Sequence, residues 1–173
     1  PPRDMKNVVL VCQLWREVGE APRFWAWVVI RVTRRNMFTM PERLESRRMR
    51  AVRELRVTVE VSQEVLQAMA RHQGLRVVKM ATANLSLLDP GLLAMVVARS
   101  REVDLFGTQL IGQQLKAILT AISSGDSRLK KLAISVYKLS SFDLRLLSTA
   151  LNRLKEVELW GLDLTLKPWE EFM

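Results

Sequence analysis

Residues 129–139 read LKKLAISVYKL, with Leu129, Leu132, Ile134 and Leu139 at the first, fourth, sixth and eleventh places of one frame. Such a frame describes a short strand. Its fourth- and sixth-place side chains point into a narrow core, and the intervening places face out, so apolar and polar residues alternate. The same frame returns at 75–85 (LRVVKMATANL), at 100–110 (SREVDLFGTQL) and at 154–164 (LKEVELWGLDL), and in weaker form at 52–61. The fourth-place residues are Leu55, Val78, Val103, Leu132 and Val157, in steps of 23, 25, 29 and 25 residues. That spacing holds one strand and one short helix per unit.

A strand segment of this form, repeated at this period, resembles the leucine-rich repeat. The resemblance implies an α/β fold: a solenoid or horseshoe with a parallel sheet on its concave face and helices on its convex face. Residues 28–173 would hold about five such repeats. Each strand–helix unit exposes an apolar side that only its neighbour can cover, so an array of this length is needed for stability.

Helix signals fall between the strands. Thr39 and Glu42 fit a capping box with Pro41 in the first turn, which predicts a helix over roughly 40–50. Ser62 precedes QEVLQAMARHQ, and Gly74 ends that run. Asp89-Pro90 opens GLLAMVVAR with a cap and a proline at the first helical position. Residues 112–123 carry Leu115, Ile118, Leu119 and Ile122 on one face, with Gly125 as the stop. Ser141 opens the last helix, and residues 27–32 form a β-rich run.

The first 27 residues differ from the rest. DMKNVVLVCQLWREVGEAPRFW, from Asp4 to Trp25, resembles the second half of an F-box, matching at Met5, Val8, Val11, Cys12, Trp15, Pro22 and Phe24 among others. An F-box followed by leucine-rich repeats is the layout of one F-box subfamily. The resemblance implies a helical cap over 1–27 whose Met5, Val8, Val11 and Trp15 face a Skp-family adaptor. The L-P-x-E-[IVL] half that usually precedes the aspartate is missing. The start at Pro1-Pro2 and the interrupted helix signal in LKPWEEFM (166–173) lead us to expect a piece of a longer protein.

Composition narrows the classes. Charged residues make up 26% and apolar ones 49%, as in ordinary globular domains. The longest apolar runs are too short to span a bilayer, so no membrane role is expected. A single cysteine, Cys12, excludes an internal disulfide and points to a reducing compartment, cytoplasmic or nuclear. The net charge of +9 is uneven: residues 1–60 carry thirteen Lys/Arg against seven Asp/Glu. Nucleic acid is a disfavoured partner, because aromatics are not interleaved with the arginines between 31 and 53.

Catalytic chemistry has little to stand on. His72 is the single histidine and is expected to be surface-lying or half-buried, with no carboxylate or cysteine at ligand spacing. No phosphate-cradling glycine motif occurs. The reading is a non-enzyme without a cofactor. Binding has more support. The second places of the frames give Arg53, Arg76, Arg101, Lys130 and Lys155, an unbroken basic column. The fifth places give Arg56, Lys79, Asp104, Ala133 and Glu158, running from basic to acidic. The seventh places give Thr58, Ala81, Phe106, Ser135 and Trp160. Either this is a protein-recognition face or its basic residues simply keep the repeats soluble. The resemblance implies the substrate-recognition subunit of a Skp–cullin–F-box ubiquitin ligase, with a target that suits arginines best when acidic or phosphorylated. The alternative is a leucine-rich-repeat scaffold with no ubiquitin role.

Overall fold

A computed structural model describes residues 29–46, 49–80, 84–108, 110, 112–136 and 141–161. The F-box-like segment 1–27 lies outside these residues, and with it Met5, Val8, Val11 and Trp15. Six strands form one parallel sheet: β1 (Val29–Val32), β2 (Glu54–Val57), β3 (Val77–Met80), β4 (Glu102–Leu105), β5 (Lys131–Ser135) and β6 (Glu156–Trp160). Each pairs with the next in sequence order. Between them run α1 (Met40–Glu45), α2 (Gln63–Arg71), α3 (Pro90–Arg99), α4 (Gly112–Ser123) and α5 (Ser141–Leu151). Successive helices pack on one another, so the chain is α/β with a strand layer and a helix layer.

Register follows the frame. Leu55, Val78, Val103, Leu132 and Val157 stand opposite one another across successive strands, and Ile30 of β1 continues the row. Residues 29–32 of the 27–32 run therefore supply a further strand of the same sheet, with Ile30 25 residues before Leu55, which the expected set of five did not include. In β2 to β4 the fourth and sixth places are buried while the third and fifth are only half-covered. An all-parallel sheet is usually covered on both faces. Among the described residues only one face meets the helices.

The buried side is one continuous core. Strand residues Leu55, Val78, Val103 and Leu132 join helix residues Leu66, Met69, Leu93, Ile118 and Leu119. The terminal strands are less covered: Ile30, Val157 and Leu159 remain half-buried. Among the described residues each of these strands has a neighbour on one side alone, which leaves part of its apolar edge open.

Several helix ends form as expected. Ser62 Oγ accepts the Val65 N–H at 3.4 Å, and Asp89 Oδ1 accepts the Leu92 N–H at 2.7 Å. The first helix departs from expectation. Helix α1 stops at Glu45 instead of continuing to 50, and Ser46 turns extended before a single 3-10 turn at Met49–Ala51. Nor does the capping box form: Thr39 caps nothing with its side chain and donates its hydroxyl to the Asn36 carbonyl at 3.2 Å. Asn36 holds this corner, accepting the Thr33 N–H at 2.8 Å and donating to the Arg31 carbonyl at 2.9 Å.

His72 also departs from expectation, being buried with both ring nitrogens engaged by backbone. Nε2 lies 2.6 Å from the Met49 carbonyl, and Nδ1 accepts the Gly74 N–H at 3.1 Å. The side chain thus closes the end of α2 against the preceding unit. Gly74 must be glycine here, because a Cβ would sit 2.4 Å from the Arg50 carbonyl oxygen.

The side assignment can be tested on two places of one frame. Leu132→Ala should lower the unfolding free energy by about 2–5 kcal/mol, whereas Lys130→Ala should change it by less than about 0.5 kcal/mol. Chemical denaturation measures both. Equal losses would show that the fourth place does not face the core.

Candidate protein-interaction face

The open side of the sheet is set by strand periodicity. β2 to β6 each begin at the third place of the frame. Third and fifth places therefore share the exposed side, opposite the core-facing fourth and sixth. The second places, Arg53, Arg76, Arg101, Lys130 and Lys155, precede the strands and form their starting border. Four of these residues are exposed and Lys130 is half-buried.

Their backbone explains why they form so straight a row. The Arg53 carbonyl accepts the N–H groups of Arg76 and Val77 at 2.8 and 2.9 Å. Arg76 does the same for Arg101 and Glu102 at 2.7 and 2.9 Å. Arg101 receives Lys130 and Lys131 at 2.8 and 3.2 Å, and Lys130 receives Lys155 and Glu156 at 2.8 and 3.1 Å. The side chains are free to extend into solvent because the peptide groups carry the pairing.

Fifth-place and third-place charges meet on the face itself. Arg56 Nε bonds Glu54 at 2.7 Å, Lys79 reaches Glu102 at 3.5 Å, and Lys131 reaches Glu156 at 2.5 Å. All three pairs are substantially exposed, so solvent and salt screen each of them. The Glu156 carboxylate, by its hydrogen bond and then its charge, raises the Lys131 pKa above its ordinary 10.5; slight desolvation opposes this, and Glu102 and Glu158 add to it. Glu54, Glu102, Lys131 and Glu156 were not among the residues expected to form the interface. Applying the two-residue period from the fifth place back to the third would have found them.

Phe106 and Trp160 do come together. Their ring centroids lie 5.2 Å apart with planes at 72°, an edge-to-face contact. One follows β4 and the other ends β6, so the rings meet across β5. Ser135 lies between them in that layer, and it is buried, not exposed as a seventh-place residue was expected to be. Its small side chain leaves room for the contact, and its Oγ accepts the Gly107 N–H at 2.8 Å. Gly107 takes a φ of 69°, a left-handed value that favours glycine. The outer faces of both rings stay open, with Phe106 46% and Trp160 51% exposed. Ala81, the seventh place of the preceding frame, lies outside the described residues.

A shallow hollow of about 130 Å³ lies among the third and fifth places of β3 to β6. Ala133 lines it together with Lys79, Glu102, Asp104, Lys131 and Glu158. Asp104 Oδ1 accepts the Phe106 N–H at 3.0 Å, which fixes that carboxylate beside the ring. A second, larger hollow of about 670 Å³ lies between α1 and α2, beside Leu44, Arg50, Arg71 and His72. There Arg71 pairs with Glu45 at 3.0 Å and both His72 nitrogens are engaged by backbone.

Among the described residues no group of three or more His, Cys, Asp and Glu could hold a metal, and no helix is long and apolar enough to cross a membrane. No protein-family model, curated protein or solved structure matches the chain.

Two measurements probe this face. A double-mutant cycle on Phe106→Ala and Trp160→Ala should return a coupling of about 0.5–1.5 kcal/mol, and additive losses would show that the rings do not support one another. Lys131 has a raised folded-state pKa, so its stabilising contribution is complete below 10.5 and is lost as pH rises through the folded value. In an NMR titration, Glu156→Gln should bring the Lys131 ammonium back toward that ordinary value. An unchanged titration would remove Glu156 as the cause.

Proposed function

We propose that the chain is a leucine-rich-repeat protein-interaction module with no catalytic activity and no cofactor. Its open strand face would capture a target protein for a Skp–cullin–F-box ubiquitin ligase. The observation that carries the binding part is the exposed face, where charged third and fifth places adjoin an open Phe106–Trp160 pair. Aromatic residues held at a surface, with part of each ring left uncovered, are the kind of group that dominates binding energy at protein interfaces. Support for the repeat class comes from the in-register fourth places and the sequential parallel strand order. The ligase link rests on the F-box-like pattern from Asp4 to Trp25.

A receptor of this kind works by positioning. Holding the target near a charged conjugating enzyme raises its effective concentration, and no group on the receptor need react. His72 fits this reading, since its nitrogens serve the backbone.

The adaptor step is tested by pull-down with a purified Skp-family protein. Bait would be this chain and a version carrying a complete F-box ahead of Asp4. Capture by the completed version alone is the expected result. Capture by neither would overturn the ligase role and leave a repeat scaffold whose N-terminal segment is a cap.

A further inference from the structure

The charges on the open face are sorted along the sheet. On β1 to β3 the third and fifth places carry Arg31, Arg56 and Lys79 against the single carboxylate of Glu54. On β4 to β6 they carry Glu102, Asp104, Glu156 and Glu158 against the single ammonium of Lys131. The sign changes once, between adjacent strands. At the acidic end, and only there among the described seventh places, the face also offers aromatic rings.

We propose that this face binds an extended segment of a partner protein that is itself divided in charge, an acidic stretch lying over β1 to β3 and a lysine or arginine over β4 to β6. The cationic side chain would lie in the hollow over Ala133, between Asp104 and Glu158 on the neighbouring strands. Neither of these carboxylates has a salt bridge among the described residues, unlike Glu54, Glu102 and Glu156. The hollow is lined by the carboxylates of Glu102, Asp104, Glu156 and Glu158 against the ammoniums of Lys79 and Lys131, so a cation placed there meets a net negative surround. Ala133, a small residue at the fifth place of β5, stands between Asp104 and Glu158 and leaves the hollow open.

Strand spacing sets the length of the segment. Neighbouring strands lie about 4.8 Å apart, so β1 to β6 spans about 24 Å, which an extended chain covers in about seven residues. A uniformly acidic partner would meet repulsion at Asp104, Glu156 and Glu158, and a uniformly basic one at Arg31, Arg56 and Lys79. Like charges brought together at an interface reject the wrong partner. Single-stranded nucleic acid fits poorly, because its stacking platform would have to be the two rings at the acidic end. This inference rests on the open face being the target-binding side, and not on the adaptor.

Fluorescence anisotropy with labelled peptides of about twelve residues tests it at about 0.15 M salt, where charges beyond about 8 Å are screened. One peptide carries three aspartates and, about six residues on, two lysines. The second has the same composition with the signs alternating. The block-charged peptide should bind at least about tenfold more tightly. The double variant Asp104→Lys/Glu158→Lys, checked for folding by circular dichroism, should no longer separate the two. Equal binding of the two peptides to the unaltered chain, or binding of neither, would overturn the proposal. So would a folded double variant that keeps the original preference. The peptide comparison decides alone if the variant does not fold. Adaptor capture can fail while the peptides still discriminate, so the two readings stand or fall separately.

Discussion

The sheet depends on one repeated interaction. A single carbonyl, that of the residue just before each strand, accepts two N–H groups from the next unit, and this recurs from Arg53 through Arg76 and Arg101 to Lys130. A parallel pair has no hairpin to fix its register, so the register must come from side-chain burial and from such local anchors. A slip of one residue would turn Leu132 and Ile134 outward and bring Lys131 and Ala133 into the core. The anchor and the apolar frame both oppose that slip. The basic side chains at these anchors are a consequence: the position demands a backbone carbonyl and tolerates any side chain that can reach water.

Other contacts between units follow the same logic. Each helix ends with carbonyls that it cannot satisfy itself. His72 faces the Met49 carbonyl, the Arg99 guanidinium donates to the Ala70 carbonyl at 2.6 Å, and the Arg128 N–H donates to the Ala98 carbonyl at 2.8 Å. In each case a unit closes the backbone of the one before it. Gln114 ties α4 to the preceding turn by donating to the carbonyls of Ser86 and Leu88 at 2.9 and 3.2 Å. Stability is therefore shared between neighbours, and the terminal strands, with Ile30 and Val157 half-buried, mark where that sharing thins.

The strands were legible because the frame is a burial pattern, and burial is what the register obeys. α3 begins where its Asp-Pro signal puts it, and α4 ends just short of the stop at Gly125. What local signals could not give was the outcome of competition between neighbours. Thr39 has the right spacing for a capping box, yet Asn36 organises the same corner with two backbone bonds and the hydroxyl is used elsewhere. His72 looks like a surface residue until Met49 and Gly74, from two different segments, converge on its ring. Gln114 sits among apolar helix residues and gives no hint of its two carbonyl partners. At the candidate site the aromatic pair was legible as two exposed seventh places, but its closure over Ser135 depends on strand spacing as well as on residue type.

The arrangement of the candidate face follows from what lies on β5. A bulky residue at 135 would fill the space between β4 and β6 and separate the Phe106 and Trp160 rings, and one at 133 would remove the hollow. Alanine and serine there add little to the sheet by burial, and the seryl hydroxyl is used to hold the Gly107 turn that presents Phe106. Two large side chains thus reach across a strand that has been kept low. The core side of the same strand carries Leu132 and Ile134, both buried, so the low profile costs the fold nothing on the face that stabilises it. On a one-sided sheet the buried face can be held to the packing frame while the open face varies, and here that freedom leaves aromatic and charged groups exposed to a partner.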